Sequence, residues 1–151
     1  MNRAVTDETF GAWLLKRTSR SWDVRTWVAG AERCQEWCVQ PGYRSARMRA
    51  GDPVVVWVSG TAPSYPAPGV WGLGRVSGPA TQQVDALAVP VDVAVQGLLL
   101  PREQLRHDPV LQGMEVLRQP QMGNPSWLTV QEWTQLQHLV AAAGHLRPRD
   151  E

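Results

Sequence analysis

No apolar run in these 151 residues approaches the roughly 18 that a membrane-spanning helix needs, so such a helix is not expected. The opening residues pass from Met1–Val5 into Thr6-Asp7-Glu8 rather than an apolar stretch, so no secretory leader is expected and the chain reads as cytoplasmic. Cysteine is scarce. Cys34 and Cys38 are too few for a disulfide framework and read as two reduced thiols that do no chemistry. The histidines His107, His138 and His145 lack finger spacing, and no metal is expected. Enzymatic signatures are missing too. There is no P-loop and no H-E-x-x-H, and Ser59 sits in V-S-G without a nucleophile elbow. Gly69, Gly72, Gly74 and Gly78 miss the dinucleotide spacing, and no helix follows them. The chain is therefore read as a non-enzyme without a cofactor.

Charge of one sign is also lacking, since the net is only +1. That argues against wholesale nucleic-acid binding, but the distribution is uneven. Residues 11–50 carry Lys16, Arg17, Arg20, Arg25, Arg33, Arg44, Arg47 and Arg49 against Asp23, Glu32 and Glu36. One basic flank suits a phosphate-bearing partner met on one side. Lysine is almost absent, one against 14 arginines, so compositional bias accounts for the flank equally well.

What is present is a globular composition, 43% hydrophobic with eight tryptophans. The length suits one domain that buries roughly two thirds of its unfolded surface. We expect a flexible segment at 1–9, one domain over 10–143 and a charged tail at 144–151. The organising stretch runs from Gln35 to Gly78. Arg49-Ala-Gly-Asp52 is a turn in which Asp52 caps backbone N–H groups. It delivers the chain into Val54–Val58, apolar on both faces and so a central strand. Val70–Val76 returns as a second strand whose glycines mark close backbone approach or bending.

Around these, Phe10–Lys16 reads as a first strand. Residues 21–31 read as a helix with a Trp27/Ala31 stripe, and Tyr43–Ala50 as a short helix after Pro41-Gly42. Leu87–Gln96 reads as a strand, with Pro90 marking an edge or a bulge and Leu98–Leu100 extending it. Pro101–Arg106 starts a short helix, Met114–Leu117 reads as a strand and 119–125 as loop. Thr129-Val-Gln-Glu132 is a capping box opening a helix that Gly144 ends. The tally is five to six strands and three or four short helices, an α+β chain with a curved, mixed or closed sheet.

The tryptophans divide by setting. Trp13, Trp22, Trp27, Trp57 and Trp133 fall on apolar stripes or strands and suit a core. Trp37 lies between a helix and a Pro-Gly turn, Trp71 opens a strand out of a Pro-rich loop, and Trp127 follows Asn124-Pro-Ser. Loop-mounted aromatics beside polar groups and arginine are what stacking a splayed base requires. The same residues could instead cover the ends of a barrel.

Five segments, taken in order, resemble an EVE domain, a member of the PUA-like superfamily related to the YTH readers. They are W-L-L-K, W-C-V-Q-P-G-Y-R-S-A-R-M-R-A-G-D, V-V-V-W-V-S, P-G-V-W-G-L-G-R-V and N-P-S-W-L-T-V-Q-E-W. The resemblance covers about Phe10 to Val140. It implies a PUA-like curved, barrel-like mixed sheet flanked by short helices, with a pocket for a flipped, modified nucleobase between aromatic walls. It further implies that Trp37 is a cage wall, that Thr18 and Ser19 meet the base edge, and that Ser59 lies beside the pocket. Asn124 falls in the segment that approaches the base or its phosphate. The YTH readers carry a second cage Trp after the strand matching 70–76, but residues 77–86 hold no aromatic, which leaves Trp71 or Tyr65 for that wall.

The expected function is thus a non-enzymatic reader of a modified base in DNA or RNA. Arg17, Arg20, Arg44 and Arg47 are expected on the backbone, and the chain is expected to be monomeric. A free nucleotide-like small molecule, or another protein gripped by exposed tryptophans, is the alternative partner.

Overall fold

The computed structural model describes residues 4–18, 33–60 and 67–144. The expected helix over 21–31, Ser19, Arg20 and Tyr65 lie outside them. The strands are β1 (Phe10–Thr18), β2 (Arg33–Val39), β3 (Pro53–Ser59), β4 (Gly69–Val76), β5 (Thr81–Gln82), β6 (Leu87–Pro101) and β7 (Ser126–Thr129). The helices are α1 (Tyr43–Arg47), α2 (Arg102–Arg106), α3 (Glu115–Arg118) and α4 (Val130–Ala142), with a 3-10 turn at Leu111–Gly113.

The strands form one strongly curled, half-barrel sheet in the order β2-β6-β4-β3-β1-β7, with the two-residue β5 added beside β6. β1 and β3 run parallel, and every other pairing is antiparallel. The mixed α+β class expected from the residues is the one observed, with six strands on the main path of the sheet among the described residues. β3 is central, as its two apolar faces require. Val54, Val56 and Val58 enter one core cluster, Val55 and Trp57 the other, and all five are buried.

These two clusters are the two faces of the sheet. The inner cluster is built almost wholly of strand residues, among them Trp13, Leu15, Trp37, Trp71, Val93 and Trp127. The outer one joins Leu14, Val55 and Leu128 to Leu105, Leu111, Met114, Leu136 and Val140 of the helical segments. At Gly72 and Gly74 an added Cβ would stand 2.3 Å and 2.2 Å from carbonyl oxygens of β6, so only glycine lets the β4 backbone come this close.

Four elements differ from the sequence reading. Trp37 is not in a loop. Glu36 and Cys38 are exposed while Trp37 and Val39 are buried, which is the alternation of a half-buried strand. Met114–Leu117 is not a strand but the start of α3, whose Val116 packs with Leu111 and Met114 against the outer face. Trp127 belongs to β7, opposite Trp13, rather than to a loop. Residues 7–9 form a turn. The Phe10 N–H donates to the Thr6 carbonyl (2.9 Å), the Val130 N–H donates to the Thr9 carbonyl (3.0 Å), and Val5 is buried.

Other readings hold as made. Thr129 Oγ1 accepts from the Glu132 N–H (3.2 Å) and Glu132 Oε1 from the Thr129 N–H (3.0 Å), closing the capping box. Pro90 stands opposite Glu36, where the β2–β6 register shifts, and so marks a bulge. Asp52 Oδ2 accepts from the Arg49 N–H (3.0 Å) and also from the buried Trp13 indole N–H (2.9 Å).

Candidate functional site

β1 and β3 end side by side, with Thr18 opposite Ser59. Alternation separates their last side chains onto the two faces. Trp13 and Leu15 lie on the inner face and Arg17 follows them in phase. Leu14 lies on the outer face, and Thr18 follows that phase. The expected site residues are therefore split rather than gathered.

On the inner face the Arg17 guanidinium carbon lies 4.7 Å from the centroid of the Trp37 ring. That is within the range of a cation–π contact. Trp37 is only 2% exposed. Trp71 belongs to the same cluster, and its indole N–H donates to the Ala67 carbonyl (2.6 Å). Trp71 thus shares the buried inner cluster with Trp37, while Arg17 stands over the Trp37 ring.

The two edge strands approach at a seam, where the Gln40 N–H donates to the Asn124 carbonyl (2.8 Å). Asn124 Oδ1 accepts from the Lys16 N–H (2.8 Å), and its Nδ2 donates to the Lys16 carbonyl (3.0 Å). This amide carries the ladder between β1 and β7 one step further, so both of its polar atoms are already engaged. A seam pocket of about 150 Å³ is lined by Gln40, Tyr43, Arg44, Met122, Asn124 and Pro125, among others.

The described arginines expected on a nucleic-acid backbone are tied to groups of the protein itself. Arg44 makes a two-pronged ion pair with Glu115 (2.7 and 2.8 Å), and both side chains are largely buried. Burial works to raise the Glu115 carboxyl, but hydrogen bonds from Arg44 and Ser126 outweigh it and hold the acid below its ordinary value. The hydrogen bond to Glu115 likewise raises Arg44 against the pull of burial. Arg47 pairs with Asp7 (2.7 Å) at the surface, and Arg17 is turned to Trp37. Of the four arginines expected on the backbone, the three described ones are each held by a group of the protein itself.

Ser59 lies on the outer face. With Trp57, Gly60, Arg102 and Arg106 it lines a cleft of about 140 Å³ closed by Val116, Leu117 and Pro120. Sequence reading passed over Arg102 and Arg106 as ordinary residues of a short helix. Their spacing of four, one turn apart on the same side of α2, was the available signal. Among the described residues no three of His, Cys, Asp and Glu lie close enough to hold a metal ion, and no helix is long and apolar enough to cross a membrane.

No family model and no curated protein matches the chain. Solved structures do. A crystallised Pseudomonas syringae protein is 16% identical, with a TM-score of 0.63, over 85% of this chain and 99% of its own. A hypothetical protein from Leishmania major is 19% identical, with a TM-score of 0.62, over 89% and 97%. The solution structure of a Rhodopseudomonas palustris protein is 17% identical, with a TM-score of 0.66, over 93% and 98%. At such identities the likeness is one of fold, and it extends over most of this chain and nearly all of each of theirs.

Proposed function

We propose that this chain is an EVE-type, PUA-like reader that binds an extruded, modified nucleobase without catalysis, on the inner face beside Trp37. The observation that carries the reading is the Arg17 guanidinium over the Trp37 ring. The Trp37 indole on β2 already holds a flat, cationic, hydrogen-bonding group from the end of β1. A purine or pyrimidine of the same flatness would take that place by stacking, and Arg17 would then reach the base edge or its phosphate. Trp71, with its N–H already satisfied, is the candidate second wall. Thr18 and Ser59 end the neighbouring strands on the opposite face and are not part of this pocket.

Extrusion costs a few kcal/mol and one aromatic stack returns about 1–3, so affinity is modest, at about micromolar. Titrating a panel of modified nucleosides and short modified oligonucleotides against tryptophan fluorescence tests the reading. One modified base should quench saturably in both forms. The oligonucleotide should weaken steeply with salt while the nucleoside barely responds. Absence of saturable quenching across the panel would contradict it.

A further inference from the structure

The outer face at the end of β3 carries a cluster that base stacking does not use. β3 finishes at Ser59 beside the buried Trp57, and α2 sets Arg102 and Arg106 one helical turn apart against it. The cleft between them, about 140 Å³, is far larger than the roughly 10–15 Å³ that admits a single water. Arg102 is fixed in place. Its backbone N–H donates to the Pro68 carbonyl (3.0 Å) and its Nη1 to the Gly60 carbonyl (2.8 Å).

Its Nε, in contrast, is buried with no hydrogen-bond partner. A guanidinium N–H left dry and unpaired is unfavourable, and one in the side chain of a cleft-lining residue calls for an acceptor. Among the described residues Arg106 pairs with Glu103, in an exposed pair at 2.8 Å, which is weak and readily exchanged. Ser59 also lines the cleft and brings a hydroxyl. Glu103 is the carboxylate on Arg106, and Glu115 of α3 is neutralised by Arg44.

We propose that this cleft binds a phosphate group, held by Arg102, Arg106 and Ser59. A planar carboxylate offers two oxygens to one guanidinium fork. A tetrahedral phosphate has oxygens for both forks and the hydroxyl together. The site lies on the opposite face of the sheet from Trp37 and stands whether or not a base stacks there. Its phosphate is either a free monoester or inorganic ion, or the backbone diester of a nucleic acid.

The test follows the arginine Nε–Hε resonances of the whole protein as inorganic phosphate is added, with chloride at equal ionic strength as the control. The Arg102 signal should shift saturably with phosphate and not with chloride. Arg106→Gln and Ser59→Ala should each weaken binding about tenfold or more. Glu103→Gln should strengthen it by up to about fivefold, by releasing Arg106. These variants leave the Gly60 contact in place, and a thermal melt confirms that each is folded. A nucleoside 5′-monophosphate and an oligonucleotide without a terminal phosphate separate the two sources, the tighter of the pair naming the one used. Trp37→Phe should leave phosphate affinity unchanged, so failure here and failure of the base reading are told apart. No saturable shift, an equal response to chloride, or affinity unmoved in both Arg106→Gln and Ser59→Ala would overturn the proposal.

Discussion

Arg17 and Trp37 touch across the interior of the sheet, 4.7 Å from guanidinium carbon to ring centroid, although their strands are far apart within it. β2 is at one edge and β1 is next to the other, four steps away in the strand order. In a flat sheet four steps separate two strands by about 19 Å. The contact exists because the sheet curls until its edges meet at Gln40 and Asn124. Trp37 therefore serves the core and the candidate site at once.

That double duty sets the first expectation. With Trp37 buried to 2% in the inner cluster, Trp37→Ala should lower stability by about 3–5 kcal/mol in urea unfolding. The sequence setting, between a helix and a Pro-Gly turn, reads instead as a loop whose Trp the core could spare. Trp37→Phe keeps most of the packing and is the variant to use for binding. Unfolding of Trp37→Ala at the wild-type midpoint would contradict the burial.

The Arg44–Glu115 pair is expected to be costly to break and inexpensive to replace. Arg44→Gln or Glu115→Gln leaves one largely buried charge alone and should destabilise by about 3–5 kcal/mol. The joint change Arg44→Met with Glu115→Leu should regain most of that, as measured by the same denaturant midpoints. A double variant no more stable than either single one would show that the pair contributes more than mutual neutralisation.

Acid should act through the same pair. The folded Glu115 carboxyl lies below its ordinary value of 4.5, because Arg44 and Ser126 hold the charged form against the opposing effect of burial. Its contribution to stability is thus present above about pH 4.5 and lost as pH falls through the lowered folded value. A melting-temperature profile should fall on its acid limb in the wild type and be flatter there in the Arg44→Met/Glu115→Leu protein. Parallel acid limbs would place the lost protonation free energy elsewhere.

Asp52 joins a turn to the core by accepting from both the Arg49 N–H and the Trp13 indole. Asp52→Ala leaves the buried Trp13 N–H unpaired and should cost about 1–3 kcal/mol, while Trp13→Phe in that background should cost less than it does alone. Additive effects in this double-mutant cycle would contradict a shared hydrogen bond.

Much of the frame was legible in local pattern. A five-residue run apolar on both faces could only be a central strand, and Thr129 with Glu132 announced α4 through its cap. β2 was missed because Glu36, Gln40 and the following Pro41-Gly42 read as loop. Only the alternation of Glu36 and Cys38 outward with Trp37 and Val39 inward betrays the strand. Met114–Leu117 was misread because a short apolar run has no measurable period. The site was less legible for a different reason. Arg44 meets Glu115 across 71 residues, and Arg102 meets the Gly60 carbonyl across 42. Neither partnership leaves a trace in sequence spacing, so Arg17, Arg44 and Arg47, read together as one flank, are held by three different groups of the protein.

The most direct measurement of the central claim is the set of intermolecular proton contacts in an NMR sample of the protein with the modified nucleoside that quenches best. Contacts from base protons to the Trp37 ring, accompanied by a shift of the Arg17 side-chain resonances, are the result predicted. Base contacts confined to Tyr43 and Met122 of the seam pocket, with the Trp37 ring unperturbed, would contradict it.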